Sequence, residues 1–186
     1  VVRFIRRAFP VFPEYGRFRL AGPGARQENT DIAELLGGSL LASGYDHIEL
    51  STLQGRVDVS VVLEEWDAEP PDPENPGWEE AAAATVFLRG FVTVGGGVPG
   101  YAVNLRLRSG ARLYRADVHA WRRRAVAQRY DQLLRSYGDP HSARFRAAEK
   151  QLRGQEEFLI RLRPTASDDG TSPRGGNLCS PETVAG

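Results

Sequence analysis

The sequence predicts a mainly β chain, an antiparallel two-layer β-sandwich with a helical hairpin inserted near its C-terminus. Three observations carry that expectation. Several short segments alternate with a period of two, most clearly where Val57, Val59, Val61 and Leu63 interleave with Asp58, Ser60, Val62 and Glu64. Gly and Pro punctuate these segments closely, leaving no room for the helix that an α/β sheet needs after nearly every strand. The period changes once, at Val126, Tyr130, Leu133, Leu134 and Tyr137, the spacing of an amphipathic helix stopped by Gly138, Asp139 and Pro140.

Taken in order, residues 1–13 carry Pro10 and Pro13 and read as an N-terminal arm. Arg6 and Arg7 resemble a twin-arginine export signal, but those prolines stand where its apolar core is required, so no export signal is expected. The chain lacks Met, and Val1 is read as a valine start codon translated literally. Residues 14–20, with Tyr15 and Phe18, form a first strand that Gly22, Pro23 and Gly24 end. A helical turn is expected over 31–36, capped from Asn29 to Asp31 and stopped by Gly37 and Gly38. Ile48, Leu50 and Thr52 mark a strand that turns at Gln54 and Gly55 into the Val57 segment as a hairpin. Residues 68–77 hold Pro70, Pro71, Pro73 and Pro76 and cannot join a ladder. Strands follow at 81–89, 91–94, 101–107 and 113–121, the last with Tyr114, Ala116, Val118 and Ala120 on one side. A second helix spans 142–153, with Phe145, Ala148 and Leu152 on its apolar side, and a closing strand runs from 157 to 163. The domain plan is therefore an arm at 1–13, one β-sandwich domain at 14–164 with the helical insert at 124–153, and a disordered tail at 165–186, too poor in large apolar groups to offset the entropy of ordering.

Composition excludes some function classes. No apolar run approaches the roughly 20 residues that cross a bilayer, so no membrane partner is expected. The lone Cys179 rules out an internal disulfide and fits a reducing, cytoplasmic setting. The 24 basic and 24 acidic residues cancel, which argues against a dedicated nucleic-acid binder. Their placement is uneven: 58–80 is acidic without any Arg or Lys, whereas Arg106, Arg108, Arg112, Arg115, Arg122, Arg123 and Arg124 follow.

Catalytic and metal motifs are missing. Gly95, Gly97 and Gly100 spell a G-x-G-x-x-G, but Tyr101 opens a strand where a phosphate loop needs a helix. His47, His119 and His141 are too scattered to hold a metal, and no cofactor is expected. His119 shares a strand face with Arg115 and Asp117, where an imidazole serves as a base or a contact. Trp121, Arg122, Arg123 and Arg124 join a ring to guanidinium groups, the composition of a single-stranded nucleic-acid contact.

Residues 110–120, Gly110, Ala111, Arg112, Leu113, Tyr114, Arg115, Ala116, Asp117, Val118, His119 and Ala120, resemble the penultimate strand of a family of uncharacterised actinobacterial β proteins. Residues 156–164 resemble that family's last strand, with Arg161 and Arg163 in place of its Gln and Trp. The strand order, with Trp78 ahead of a strand, is similar to competence proteins of the ComJ type, inhibitors of a DNA-entry nuclease; the helices of 126–153 are absent from that pattern. The resemblance implies a β-sandwich binding module without catalysis and transfers no inhibitory residues.

The leading expectation is a non-enzymatic interaction module, of inhibitor or immunity type, meeting a basic partner such as a nuclease through Asp58, Glu64, Glu65, Asp67, Glu69, Asp72 and Glu74. The first alternative is a small-ligand or weakly hydrolytic sandwich using Arg115, Asp117 and His119. The second is single-stranded nucleic-acid contact through Trp121 to Arg124. Oligomeric state is not specified by the sequence.

Overall fold

The computed structural model describes residues 1–25, 38–73, 77–96 and 102–165. Its elements are β1 (Arg3–Val11), β2 (Arg17–Ala21), β3 (Leu41–Ser43), β4 (His47–Ser51), β5 (Val59–Trp66), β6 (Glu80–Gly95), β7 (Val103–Trp121), α1 (Arg123–Tyr137), α2 (Ala143–Lys150) and β8 (Glu157–Pro164). The mainly β class with a helical insertion is what the alternation predicts. The strands form one hydrogen-bonded sheet in the order β1-β5-β8-β7-β6-β2-β4-β3. Every pairing is antiparallel except β5 with β8, which is parallel.

The sheet becomes two layers by folding back on itself. Phe18 of β2 meets Phe158 of β8 edge to face, ring centroids 5.0 Å apart. Three strand intervals separate β2 from β8, so a flat sheet would hold these rings about 14 Å apart. The bend lies in β6 and β7. Their ladder runs to Arg89 with Ala111, then resumes at Phe91 with Arg106, so a single Gly90 faces the bulged residues 107–110. Gly90 (φ 79°) and Gly110 (φ 75°) both adopt the left-handed backbone that a side chain disfavours. Where Ser109 and Gly110 predict a turn between separate strands, the chain bends and continues as one strand. Between the layers Phe18, Leu20, Ile48, Leu50, Val59, Val61, Leu63, Leu88, Phe158 and Ile160 form the main core.

Several expectations need correction. Residues 3–11, read as an arm, form the edge strand β1, whose outer position tolerates Pro10 opposite Ser60. The β4 and Val57 segments form no hairpin: β4 pairs with β2 and β3, while β5 pairs with β1 and β8. The expected helical turn at 31–36, the glycine run beyond Gly96 and the tail after Thr165 lie outside the described residues.

The helical hairpin has a small core of its own, Val57, Val126, Leu133, Phe145 and Leu152. Tyr130 packs edge-on against Phe145, centroids 5.8 Å apart. Gly138 (φ 66°) closes α1, its N–H donating to the Leu134 carbonyl at 3.0 Å. Ser142 Oγ caps α2 by accepting from Phe145 N–H at 3.2 Å. Among the described residues no helix is long and apolar enough to cross a membrane.

Candidate functional site

The outer face of β5, β7 and β8 is charged rather than merely polar. Strand register places Asp117 beside Arg161, Arg161 beside Glu64 and Glu64 beside Arg6, a row of alternating sign across four strands. Glu64 is fully buried at the centre of this row. Its Oε2 lies 3.2 Å from Arg161 Nε and accepts from Trp66 Nε1 at 2.9 Å; its Oε1 lies 3.2 Å from Arg3 Nη1 and is also bonded by Arg6. Arg3 and Arg161 lie against the Trp66 ring, 5.5 and 5.9 Å from its centroid. A carboxylate with so many charge-assisted donors is held in place despite its desolvation. Asp117 in turn lies 3.1 Å from Arg115 Nε and 3.6 Å from Arg163 Nε.

A proline-rich strap crosses this face. It leaves β5 at Asp67, whose Oδ1 accepts from Val2 N–H at 2.7 Å. Arg161 Nη1 donates to the Pro71 carbonyl at 2.6 Å, and Arg163 pairs with Glu69 at 2.5 Å. Asp67, Glu69 and Asp72 stay exposed on its outside. Beneath the strap lies an open cleft of about 350 Å³, lined by Asp72, Ala81, Ala83, Asp117, His119 and Arg161 among others. Burial pushes the His119 imidazole below its ordinary pKa, Arg161 adds to the effect and Asp117 opposes it, so the ring is neutral near pH 7. Trp78, whose ring centroid is 6.0 Å away, flanks His119.

The structure thus divides the acidic residues singled out from sequence. Asp67, Glu69 and Asp72 share the strap, whereas Asp58 precedes β5, at that strand's far end from the strap. Glu74 lies outside the described residues. Glu64 and Glu65 are 0% and 1% exposed, which removes them from any contact surface. Glu65 accepts from the backbone N–H groups of Arg108 and Ser109, both at 2.8 Å, donors that the β7 bulge frees. Two consecutive glutamates interrupting a clean alternation were the available signal of interior roles; their partners, distant in sequence, were not legible.

Arg115, Asp117 and His119 share the outer face as the alternation predicts, but Arg115 is engaged with Asp117 and only Asp117 and His119 line the cleft. The basic run at the end of β7 is a different matter. Arg123 is fully buried: its Nε donates to the Ser51 carbonyl at 2.7 Å, Nη1 to Glu80 at 2.6 Å, and Nη2 to the Gly38 and Ser39 carbonyls at 3.0 and 2.9 Å. Arg124 Nε lies 3.5 Å from Glu80, and Arg122 stacks over Trp121. A nucleic-acid platform built on all three arginines is therefore overturned, because the middle one ties α1 to β4. Among the described residues no group of three or more His, Cys, Asp or Glu is placed to hold a metal ion.

No protein-family model and no curated protein sequence matches the chain. Two solved structures do. ComJ from Bacillus subtilis, an inhibitor of the DNA-degrading activity of NucA, superposes with a TM-score of 0.54 at 7% identity, covering 88% of this chain and 98% of that one. The product of crocagin biosynthetic gene J matches with a TM-score of 0.48 at 12% identity, covering 86% and 95%. The likeness to ComJ is one of fold, spanning nearly the whole of both chains.

Proposed function

We propose that the chain is a non-enzymatic interaction module of inhibitor type, offering its acidic strap to a basic protein partner such as a nuclease. The observation that carries this reading is how the strap is held. Arg161, itself nearly buried, grips the Pro71 carbonyl, Arg163 grips Glu69 and Val2 N–H donates to Asp67, so the strap that carries Asp67, Glu69 and Asp72 is anchored at three points before a partner arrives. Charges already in place cost little to order on binding and steer an oppositely charged surface into register. The fold shared with ComJ, itself an inhibitor, supports the class of activity.

The direct test adds the purified chain to DNA-degradation assays with basic nucleases of its host, in salt near physiological, alongside a D67N/E69Q/D72N variant. Inhibition by the parent that the folded variant has lost is the expected result. Failure of the parent to slow any of them, together with capture of no basic protein from host extract, would refute the proposal.

A second reading is favoured by the cleft itself. Asp117 and a neutral His119 face space under the strap large enough for a small metabolite, with Ala81 and Ala83 leaving the floor low. Thermal-shift screening of a metabolite set against the parent and His119→Ala tests it, and hits that survive the substitution would discard the cleft as their site.

A further inference from the structure

On a separate part of the molecule, where β6 and β7 bend, lies a groove of about 620 Å³ lined by Arg89, Gly90, Phe91, Arg106, Leu107, Arg108, Gly110 and Ala111. It shares no residue with the cleft beneath the strap. From this groove we infer a second binding site, for the sugar-phosphate backbone and bases of a single-stranded nucleic acid.

The groove is basic among the described residues, and of its arginines Arg89 also donates to the Pro23 carbonyl at 3.2 Å and lies against the Phe87 ring. Arg89, Arg106 and Arg108 are exposed, and Arg112 stands exposed beside Ala111. None of the four makes an ion pair among the described residues, in contrast to Arg3, Arg6, Arg115, Arg161 and Arg163 on the strap face. Among the described residues no carboxylate lines the groove. Glu65, in the fold of the bend, is buried, and its two oxygens accept from the N–H groups of Arg108 and Ser109. That arrangement fixes the backbone carrying the guanidinium groups, so the bulge is a rigid mount for positive charge rather than a loose turn. Gly90 and Gly110 keep the floor free of side chains, and Gly110 has open space above its α-carbon. A phosphate can therefore approach the main chain closely.

An aromatic ring selects among polyanions. Phe91 is 47% exposed at the groove, next to Arg106 across the β6–β7 ladder. An apolar ring among arginines gains nothing from an acidic peptide, but gives an unpaired base a surface to stack on. In a duplex the base faces are already covered. The neutral total charge does not oppose the site, because phosphate recognition responds to the local field within about 10 Å in ordinary salt.

The test uses fluorescence anisotropy of the whole chain with end-labelled oligothymidine about 20 nucleotides long and a duplex of equal length. With about three phosphates neutralised, affinity for the single strand should fall roughly twentyfold between about 50 and about 200 mM salt. R106Q/R108Q, which leaves the backbone bonds to Glu65 intact, should abolish most of that binding while far-UV circular dichroism stays unchanged. Phe91→Ala should weaken binding roughly fivefold or more and narrow the preference over duplex. Absence of binding at low salt, full affinity in R106Q/R108Q, or duplex bound as tightly as the single strand would each overturn the inference. So would displacement of the oligonucleotide by polyglutamate at equal charge concentration, or loss of binding in Arg122→Gln but not in R106Q/R108Q.

Discussion

Glu64 and Glu65 are neighbours in sequence, point to opposite faces of β5, and are both buried for different reasons. Glu64 neutralises arginines from β1 and β8, while Glu65 satisfies amide groups released by a bulge in β7. Removing Glu64 leaves guanidinium groups facing one another, so Glu64→Ala should cost about 3–5 kcal/mol in chemical denaturation. Glu65→Gln keeps one acceptor and should cost about 1–3 kcal/mol. A third buried carboxyl behaves oppositely. Burial drives the Glu156 pKa up to about 9, against a hydrogen bond from Gln54 and the nearby Arg123 charge that act to lower it. From about pH 4.5 to about pH 9 the folded protein keeps a proton that the unfolded chain releases, so this residue erodes stability as pH rises, at most about 1.4 kcal/mol per unit. Glu156→Gln should flatten that slope, as read from melting temperature against pH. None of these roles was legible beforehand, because residue types and alternation reveal which side a glutamate faces but not what waits there.

The strands and helices were more readable, since each follows from a local period. Val59 to Leu63 alternate inward, Tyr114, Ala116, Val118 and Ala120 share the dry face, and the stripe beginning at Val126 is a helix. What periodicity missed are the places where an element departs from it. Gly90 and Gly110 read as breaks between strands but are the inside of a bend, because glycine serves a turn and a bulge equally. Pro10 reads as excluding β1 from the sheet, yet an edge strand has one side with no ladder to spoil. At this scale Gly138→Ala should cost about 1 kcal/mol, since its left-handed backbone closes α1 without a side chain. Phe145→Ala should cost about 3 kcal/mol and, in hydrogen exchange, loosen the helical hairpin before the sheet, because it empties the smaller core alone.

Across the whole molecule one side chain joins parts that sequence places far apart. Arg123 starts α1, reaches the Ser51, Ser39 and Gly38 carbonyls of the second layer, and pairs with Glu80 at the start of β6. Arg123→Ala should therefore cost about 3–5 kcal/mol, by stranding Glu80 and three carbonyl groups together. The folding-back of the sheet has the same long-range character: alternation marked a dry interior between two layers, and nothing local could say that the layers are continuous. The place of β8 in the sheet bears on how the chain can fold during biosynthesis. Strand β8 is the last among the described residues and lies between β5 and β7, so a nascent chain that has not yet delivered residue 157 holds two interior strands with open flanks. Maturation is thereby postponed until almost all of the fold has left the ribosome, and a chain stopped at residue 156 should accumulate as aggregate rather than as a smaller soluble core.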